Sequence, residues 1–507
     1  MKCEVLHLNK KFQNSLLNVV IGFGGQLILL ALGIIVPRLI LVNYGSEING
    51  LSNTINQIYT YVALLEAGIG QSALFSLYRS KSRDESSNIL SATVFEYRKT
   101  AKIYAACVGT LSILLPFALK SELPFYVIFS VTLLSGIPSL ISFYYIAAYM
   151  QLLTVEGKHY VETSVNLGVS CLSYIAKIIL ANLAINIVIL YVAYVLITLL
   201  KTIIISAYIK KNYTWINNIP KENKDFFKDR KGFVRTQIAW IVFSNTDVIL
   251  ISFFCGLKLA SVYAVYNLVY TSIYSLMNQI YAGVNFLLGH EYNNSLQSYT
   301  KLHDAFDGFF DMLVCSTMSI CYLLTLPFIR LYTAGVTDVN YIDELLPLLF
   351  CCVQILTWIR YASGNLTSLA GYANKIGKIS IIEAGINVGL TVLFVQIWGI
   401  KGALLATIVA LLFKSNYLLV FANKIILKRG IFRSYKICIS NIILFVCVVA
   451  LSNLVNLHID DYLSFFGIAT IVSLIIYISF YIFNLLVNRS ETLYYTNMIV
   501  GKIRRKH

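Results

Sequence analysis

Apolar runs of membrane-spanning length recur along the whole chain, separated by short polar segments that hold most of the Lys and Arg residues. A bilayer core of about 30 Å is crossed by about 20 apolar residues of α-helix. The pattern predicts helices over 15–36, 49–78, 101–119, 124–150, 160–182, 185–208, 237–256, 261–288, 305–327, 345–370, 378–398, 402–422, 437–457 and 463–486. A transmembrane barrel would instead show alternating strands of roughly ten residues. The predicted fold class is therefore an all-α polytopic membrane protein with about fourteen transmembrane helices. The first run is too long for a signal-peptide core and lacks an A-x-A-like cleavage site, so it counts as the first helix.

Composition agrees with that picture: 58% of the 507 residues are hydrophobic and 13% charged, against roughly 25% charged in soluble globular chains. The net charge of +16 does not indicate nucleic acid, because the basic residues come in short bursts rather than on one groove or helix face. Retention of Lys and Arg in cytoplasmic loops produces such bursts. With the N-terminus inside, the inside segments, with the cytoplasmic ends of the adjoining spans (Lys102 and Lys378), carry 31 of the 40 basic residues and the outside segments five: Arg38, Lys120, Lys258, Arg330 and Lys401. Lys177, Lys201, Arg360 and Lys414 fall within spans. Both termini are then cytoplasmic. The ten cysteines lie mostly in apolar helices without metal-ligand spacing, which indicates small apolar filler and no metal or cofactor.

The longest loop follows the sixth helix. It suggests an N-terminal six-helix lobe over 1–210, a cytoplasmic linker over 211–236, a second six-helix lobe over 237–422, helices 13 and 14 over 437–486 and a basic cytoplasmic tail over 487–507. Two internal matches support a duplicated unit, a common construction in transporters. Glu162-x3-Asn166-x-Gly168 on helix five pairs with Glu383-x3-Asn387-x-Gly389 on helix eleven, and Gly45, Asn56 and Tyr59 pair with Gly256, Asn267 and Tyr270.

Ionisable residues deep in a span cost about 2.5–3.5 kcal/mol on insertion scales and usually face a cavity or a partner. Arg360, Glu66 and Asp247 are deep by position. Lys201 and Lys414 lie within reach of the cytoplasmic surface, and Arg38 and Lys177 near outer helix ends, so these four can snorkel. Helix two presents Ser52, Asn56, Tyr59, Ala63, Glu66 and Gly70 on one face, helix five presents Glu162, Asn166, Ser170, Ser173 and Lys177, and helix eight presents Tyr263, Tyr266, Tyr270 and Tyr274. Close helix packing explains any one such face as well as cavity lining does. Three faces plus buried charge favour a shared water-filled interior. Tyr263 and Tyr266 fit an interfacial aromatic belt, whereas Tyr270 and Tyr274 are deeper candidates for ligand contact. Gly22-Phe-Gly-Gly25 lies inside an apolar helix with no preceding strand, so it is no nucleotide loop. No Ser/His/Asp set, paired catalytic carboxylates or phosphate loop occurs in any loop, and the longest outside loop spans only 328–344, which argues against an enzyme.

Arg38 followed by Tyr44-Gly45-Ser46-Glu47-Ile48-Asn49-Gly50-Leu51, then Leu64-Leu65-Glu66-Ala67-Gly68-Ile69-Gly70-Gln71-Ser72-Ala73, resembles the start of the bacterial polysaccharide-repeat (O-antigen/capsule, Wzx-type) flippases. Glu156-Gly157-Lys158 and the Tyr174–Leu180 stretch add to the likeness. These flippases belong to the multidrug/oligosaccharidyl-lipid/polysaccharide exporter superfamily. The resemblance implies a V-shaped pair of six-helix lobes around a central, typically cationic cavity lined by helices one, two, seven and eight, with helices 13 and 14 accommodating a polyprenyl tail. It implies a polyprenyl-pyrophosphate-linked glycan as cargo, a bacterial cytoplasmic membrane location, and polysaccharide polymerase and chain-assembly proteins as candidate partners. Arg38 and Lys177 occupy matching cationic positions; Arg360 joins them on depth alone. Asn56, Tyr59, Asn267, Tyr270 and Tyr274 are the candidate sugar contacts, and Glu66 and Asp247 the candidate ion-coupling residues. An ion-coupled multidrug or cation antiporter of the same superfamily is the alternative, with a carboxylate-dominated lumen expected; a membrane enzyme acting on lipid-linked sugars is the second.

The distribution of basic residues makes a topological prediction. Single cysteines placed in a cysteine-free background at Asn217 and Asp460 are expected to react with an impermeant maleimide from the inside and the outside respectively; the opposite pattern refutes the map.

Overall fold

The computed structural model describes residues 2–216, 220–223, 230–452 and 459–504. Parts of the 211–236 linker, including Asn217, the end of the 437–457 span and the last three residues of the tail lie outside them. The described residues are helical, with no strand. In chain order the helices are α1 (Lys2–Val62), α2 (Ile69–Arg79), α3 (Arg83–Ala118), α4 (Phe125–Tyr145), α5 (Ala147–Val155), α6 (His159–Asn182), α7 (Ile187–Asn212), α8 (Arg230–Cys255), α9 (Leu257–Asn294), α10 (Leu296–Tyr332), α11 (Leu345–Ile359), α12 (Tyr361–Leu369), α13 (Ala373–Phe421), α14 (Phe432–Leu451), α15 (Tyr462–Val487) and α16 (Arg489–Arg504).

Among the described residues, eleven helical segments are long and apolar enough to cross a membrane. Two of them, Ala31–Glu66 and Ala373–Ile426, each join two predicted spans. The joints fall at Gly45 (φ 85°) and Gly399 (φ 56°), backbone conformations that glycine adopts without strain. Helix α9 adds a further span of 38 residues, about 57 Å at 1.5 Å per residue, whose tyrosines, serines and asparagines make it more polar than its neighbours. The chain is thus an all-α polytopic membrane protein of about fourteen transmembrane helices. Three predicted spans are broken inside. The 49–78 run passes through a 3-10 turn at Ala63–Glu66 before α2, the 124–150 run divides at Ile146 into α4 and α5, and the 345–370 run divides at Arg360 into α11 and α12. A break of one to a few residues leaves the apolar content unchanged, so hydropathy does not reveal it.

The chain packs as two compact units, Met1–Ser261 and Val262–His507. Packing assigns α8 to the first unit, whereas loop length places the equivalent span after the linker. The reason is a close seam between α1 and both α8 and the start of α9. Thr54 and Ser252 share a hydroxyl hydrogen bond at 2.5 Å, Tyr61 and Thr246 another at 2.5 Å, and Asn49 donates to the Ser261 hydroxyl at 2.7 Å. Gly50 sits against the Leu257 carbonyl, only 2.0 Å from where a Cβ would stand. Hydroxyls and small residues of this kind bring helices together where apolar burial gives no net drive between lipid and protein.

The second unit is organised on α10, which is largely buried along its length and contacts α11, α14, α15 and α16. Amides join α14 to α15: Asn484 donates to Asn441 at 2.8 Å and Asn488 to Ser440 at 3.0 Å. The opposite face of α15 exposes Leu463, Phe466, Ile471, Leu474 and Ile478, an apolar surface suited to lipid.

Gly50→Ala is expected to push two backbones apart and lower the thermal unfolding temperature of the purified protein by several degrees, from overpacking of about 1–3 kcal/mol. Gly33→Ala, in the same helix with open space around it, should be neutral or slightly stabilising; equal melting of the two variants would contradict the seam.

Candidate functional site

Within the first unit, α4, α6 and α7 enclose a cavity of about 340 Å³, within the roughly 300–1,000 Å³ range of ligand sites. The polar face predicted for helix five supplies one wall, with Asn166, Ser170, Ser173 and Lys177. Helix α7 supplies Tyr194, Thr198, Lys201 and Thr202, and α4 supplies Ser139 and Ser142 beside Pro138, which lacks a backbone donor and interrupts that helix on the cavity side. The Lys177 ammonium lies 4.3 Å from the centre of the Tyr194 ring, a cation–π contact. No carboxylate is among the lining residues. Glu162, at the start of the same face, pairs instead with His159 at 3.3 Å. The arrangement offers two ammonium groups, a ring of hydroxyls and two aromatic faces: donors for an anionic, hydroxyl-rich molecule.

Lys201 is the residue that position along the span had misplaced. It is half-buried and lines the same cavity as Lys177. The signal was the spacing of Tyr194, Thr198 and Lys201 at intervals of four and three, a polar stripe on α7 matching the one on α6.

The equivalent helix of the second unit is closed by charge. Arg360 is buried and pairs with Glu383, which also accepts from Lys414 at 2.6 Å. Asn387, the counterpart of Asn166, is buried and donates to Thr407 at 2.8 Å. One carboxylate between two cations leaves Arg360 committed within the protein. A second network, absent from the predicted set, runs along α10: Asp304 takes a bidentate contact from Arg429 at 2.6 and 2.7 Å, Arg433 reaches Asp304 at 3.2 Å, and Arg433 also holds Glu491 of α16. His303, Asp307 and Asp311 are buried in the same helix, at offsets from Asp304 that a helical plot of the sequence contains.

The remaining predicted residues separate. Tyr59 and Tyr270 are buried: Tyr59 donates to the Thr132 carbonyl at 2.6 Å and Tyr270 to the Pro347 carbonyl at 3.0 Å. The two matched tyrosines therefore make matched contacts, each to the fourth predicted helix of its own half. Tyr263 and Tyr266 are buried too, not in an interfacial belt; with Tyr270 they surround Phe350, and Tyr266 donates to the Tyr341 carbonyl at 2.9 Å. Tyr274 shares a 2.5 Å hydrogen bond with Tyr361 and packs on Trp358. Asn56 is exposed and Asn267 half-buried. Arg38 is half-buried on α1, outside the lining of the α4–α6–α7 cavity. Glu66 ends the 3-10 turn, and Asp247 is buried in α8.

Removing one member of a buried ion cluster strands its partner, typically by about 3–5 kcal/mol. Arg360→Gln is expected to lower folded yield and melting temperature, less than that full amount because Lys414 remains on Glu383, while Lys177→Gln leaves stability unchanged. Chromatographic yield and thermal unfolding distinguish the two; a stable Arg360→Gln protein would show that the triad is not structural.

No family model and no curated protein sequence matches the chain. Solved structures do. The lipid II flippase MurJ in an inward closed conformation superposes with a TM-score of 0.70 over 93% of this chain and 99% of that one, at 16% identity. An inward-facing multidrug resistance MATE family transporter of the MOP superfamily gives a TM-score of 0.56 over 82% of this chain and 95% of that one, at 12% identity. The chain shares the fold of these two solved structures.

Proposed function

We propose that the protein is a flippase that moves a polyprenyl-pyrophosphate-linked oligosaccharide repeat unit from the cytoplasmic to the outer leaflet of a bacterial cytoplasmic membrane, for cell-surface polysaccharide such as O-antigen or capsule. The observation that carries this reading is the α4–α6–α7 cavity of the first unit, lined by two lysines and by hydroxyls. Lys177 and Lys201 neutralise the pyrophosphate. Asn166 and the Ser and Thr hydroxyls take the sugar hydroxyls, and Tyr174 and Tyr194 the apolar sugar faces. The prenyl tail stays in lipid. Arg38 adds cationic field from α1, whereas Arg360 is occupied by Glu383 and does not join the anion-binding set. Glu66 and Asp247 are the residues proposed to couple transport to an ion, since a carboxylate within a span is a natural proton or sodium acceptor. The cycle is alternating access with both termini cytoplasmic, and the product passes to polymerase and chain-assembly proteins. A cation antiporter would place carboxylates where Lys177 and Lys201 stand.

The test is transport of a defined polyprenyl-pyrophosphate oligosaccharide into inside-out vesicles. A charge-assisted contact of about 1.5–3 kcal/mol predicts a fall of roughly tenfold or more for Lys177→Gln and Lys201→Gln and a larger fall for the pair, with partial recovery in the Arg variants at constant protein level. Undiminished transport by the double Gln variant removes the reading, and preferential uptake of small organic cations assigns the protein to the antiporters. In the same assay Glu66→Gln or Asp247→Asn should abolish dependence on an ion gradient; if both leave it intact, the coupling role is wrong.

A further inference from the structure

A second cavity in the first unit, of about 540 Å³, lies between the cytoplasm-proximal parts of α3, α4, α5 and α7 under the proposed topology. Its lining carries Arg98 of α3 and Lys210 of the last turn of α7 and, among the described residues, contains no carboxylate. Arg98 lies about one turn before the apolar part of its helix, and Lys210 stands at the edge of the linker, so both cations sit at the depth of lipid head groups rather than in the hydrocarbon. The mouth faces lipid: Tyr145 and Ile203, both lining residues, are 54% and 61% exposed.

Two features point to a ligand. The guanidinium of Arg98 is fixed 5.0 Å from the centre of the Tyr144 ring, yet its buried Nε donates no hydrogen bond. Arg98 also lines the cavity, and a planar guanidinium there suits a phosphate oxygen. The carboxylate beside the cavity, Glu156, is already engaged by Lys158 at 2.8 Å and by the Tyr213 hydroxyl at 2.6 Å. The second feature is adjacency: Thr202 lines both this cavity and the one that holds Lys177 and Lys201. Cations therefore follow one another along α3, α7 and α6, from the cytoplasmic head-group level into the span.

We propose that this groove is the loading site of the transporter, where the pyrophosphate end of the lipid-linked cargo docks from the cytoplasmic leaflet on Arg98 and Lys210, with its prenyl chain along Ile203 and the surrounding lipid, before the head passes Thr202 to Lys201 and Lys177. The inference rests on the flippase reading for the identity of the cargo. The groove selects a lipid-borne pyrophosphate, because the cations stand beside a lipid-facing mouth and not over an aqueous vestibule.

The test is photo-crosslinking of the full-length protein in phosphatidylcholine nanodiscs with a photoreactive polyprenyl pyrophosphate. Labelling should map to α7 around Leu199–Lys210 and fall at least fivefold in Arg98→Gln and in Lys210→Gln, with recovery in Arg98→Lys. It should persist in Lys211→Gln, whose lysine is outside the lining, and in the Lys177→Gln/Lys201→Gln double variant. Lys210 is exposed, so its substitution reads binding without disturbing the core. Unchanged labelling in both Gln variants, equal labelling by photoreactive phosphatidylglycerol, or displacement by inorganic pyrophosphate at concentrations equal to the lipid would each overturn the loading site. If labelling ignores Arg98 and Lys210 while transport still needs Lys177 and Lys201, the loading site fails and the flippase reading stands. If labelling depends on the groove but no lipid-linked sugar is transported, the flippase reading fails instead.

Discussion

A charge held inside a bilayer is stable in two ways: neutralised by a partner within the protein, or kept in contact with water and ligand. The two halves of this chain take one way each at corresponding helices. In the second unit Glu383 stands between Arg360 and Lys414, and Asn387 is closed onto Thr407. In the first unit the helix that begins with Glu162 turns its Asn166, Ser170, Ser173 and Lys177 toward a cavity that also receives Lys201. The same polar spacing thus yields a locked ion cluster in one unit and a lysine-lined cavity in the other. Glu383 bonds both of its cations, whereas Glu162 contacts His159 and acts on Lys201 only through its field.

The residues that carry the family resemblance mostly build the frame rather than the site. Tyr44 donates to the Ile185 carbonyl at 2.6 Å, Gly45 turns the chain between two spans, Glu47 accepts from the Ser121 hydroxyl at 3.0 Å and from the Glu122 backbone, and Gly50 admits the Leu257 backbone. Glu156, Gly157 and Lys158 form a turn, with Gly157 at φ 70°, closed on Tyr213. Such positions are restrictive because a bilayer-embedded helix must satisfy its own backbone. Direction can change only where a glycine or a short turn permits it. Their chemistry fixes where helices meet.

The tyrosines illustrate how one residue type serves a membrane protein in several places. Tyr59 and Tyr270 tie helices to backbone carbonyls, Tyr266 closes on a loop carbonyl, and Tyr194 faces a lysine across a cavity. A phenol buries a large apolar ring while its hydroxyl needs one partner, so burial and ligand contact leave the same mark in a sequence. Gly45 and Gly256, another matched pair, both have left-handed backbone angles, φ 85° and 92°.

Hydropathy and charge determined the class of molecule, the approximate number of spans, their expected orientation and the polar face of helix five, because each follows from the local requirement that a segment match its solvent. The breaks at Ala63–Glu66, Ile146 and Arg360 were beyond that reading, since a short irregular turn costs a span little apolar content. Tertiary structure alone decided that Lys201 faces inward beside Lys177, that Arg360 is spent on Glu383, and that Tyr59 and Tyr270 are buried. Each depends on the rotation of one helix against another, a quantity set by side chains distant in sequence. Depth along a span is written in the chain; the direction a side chain faces at that depth, and the partner it meets there, are settled only when the helices pack.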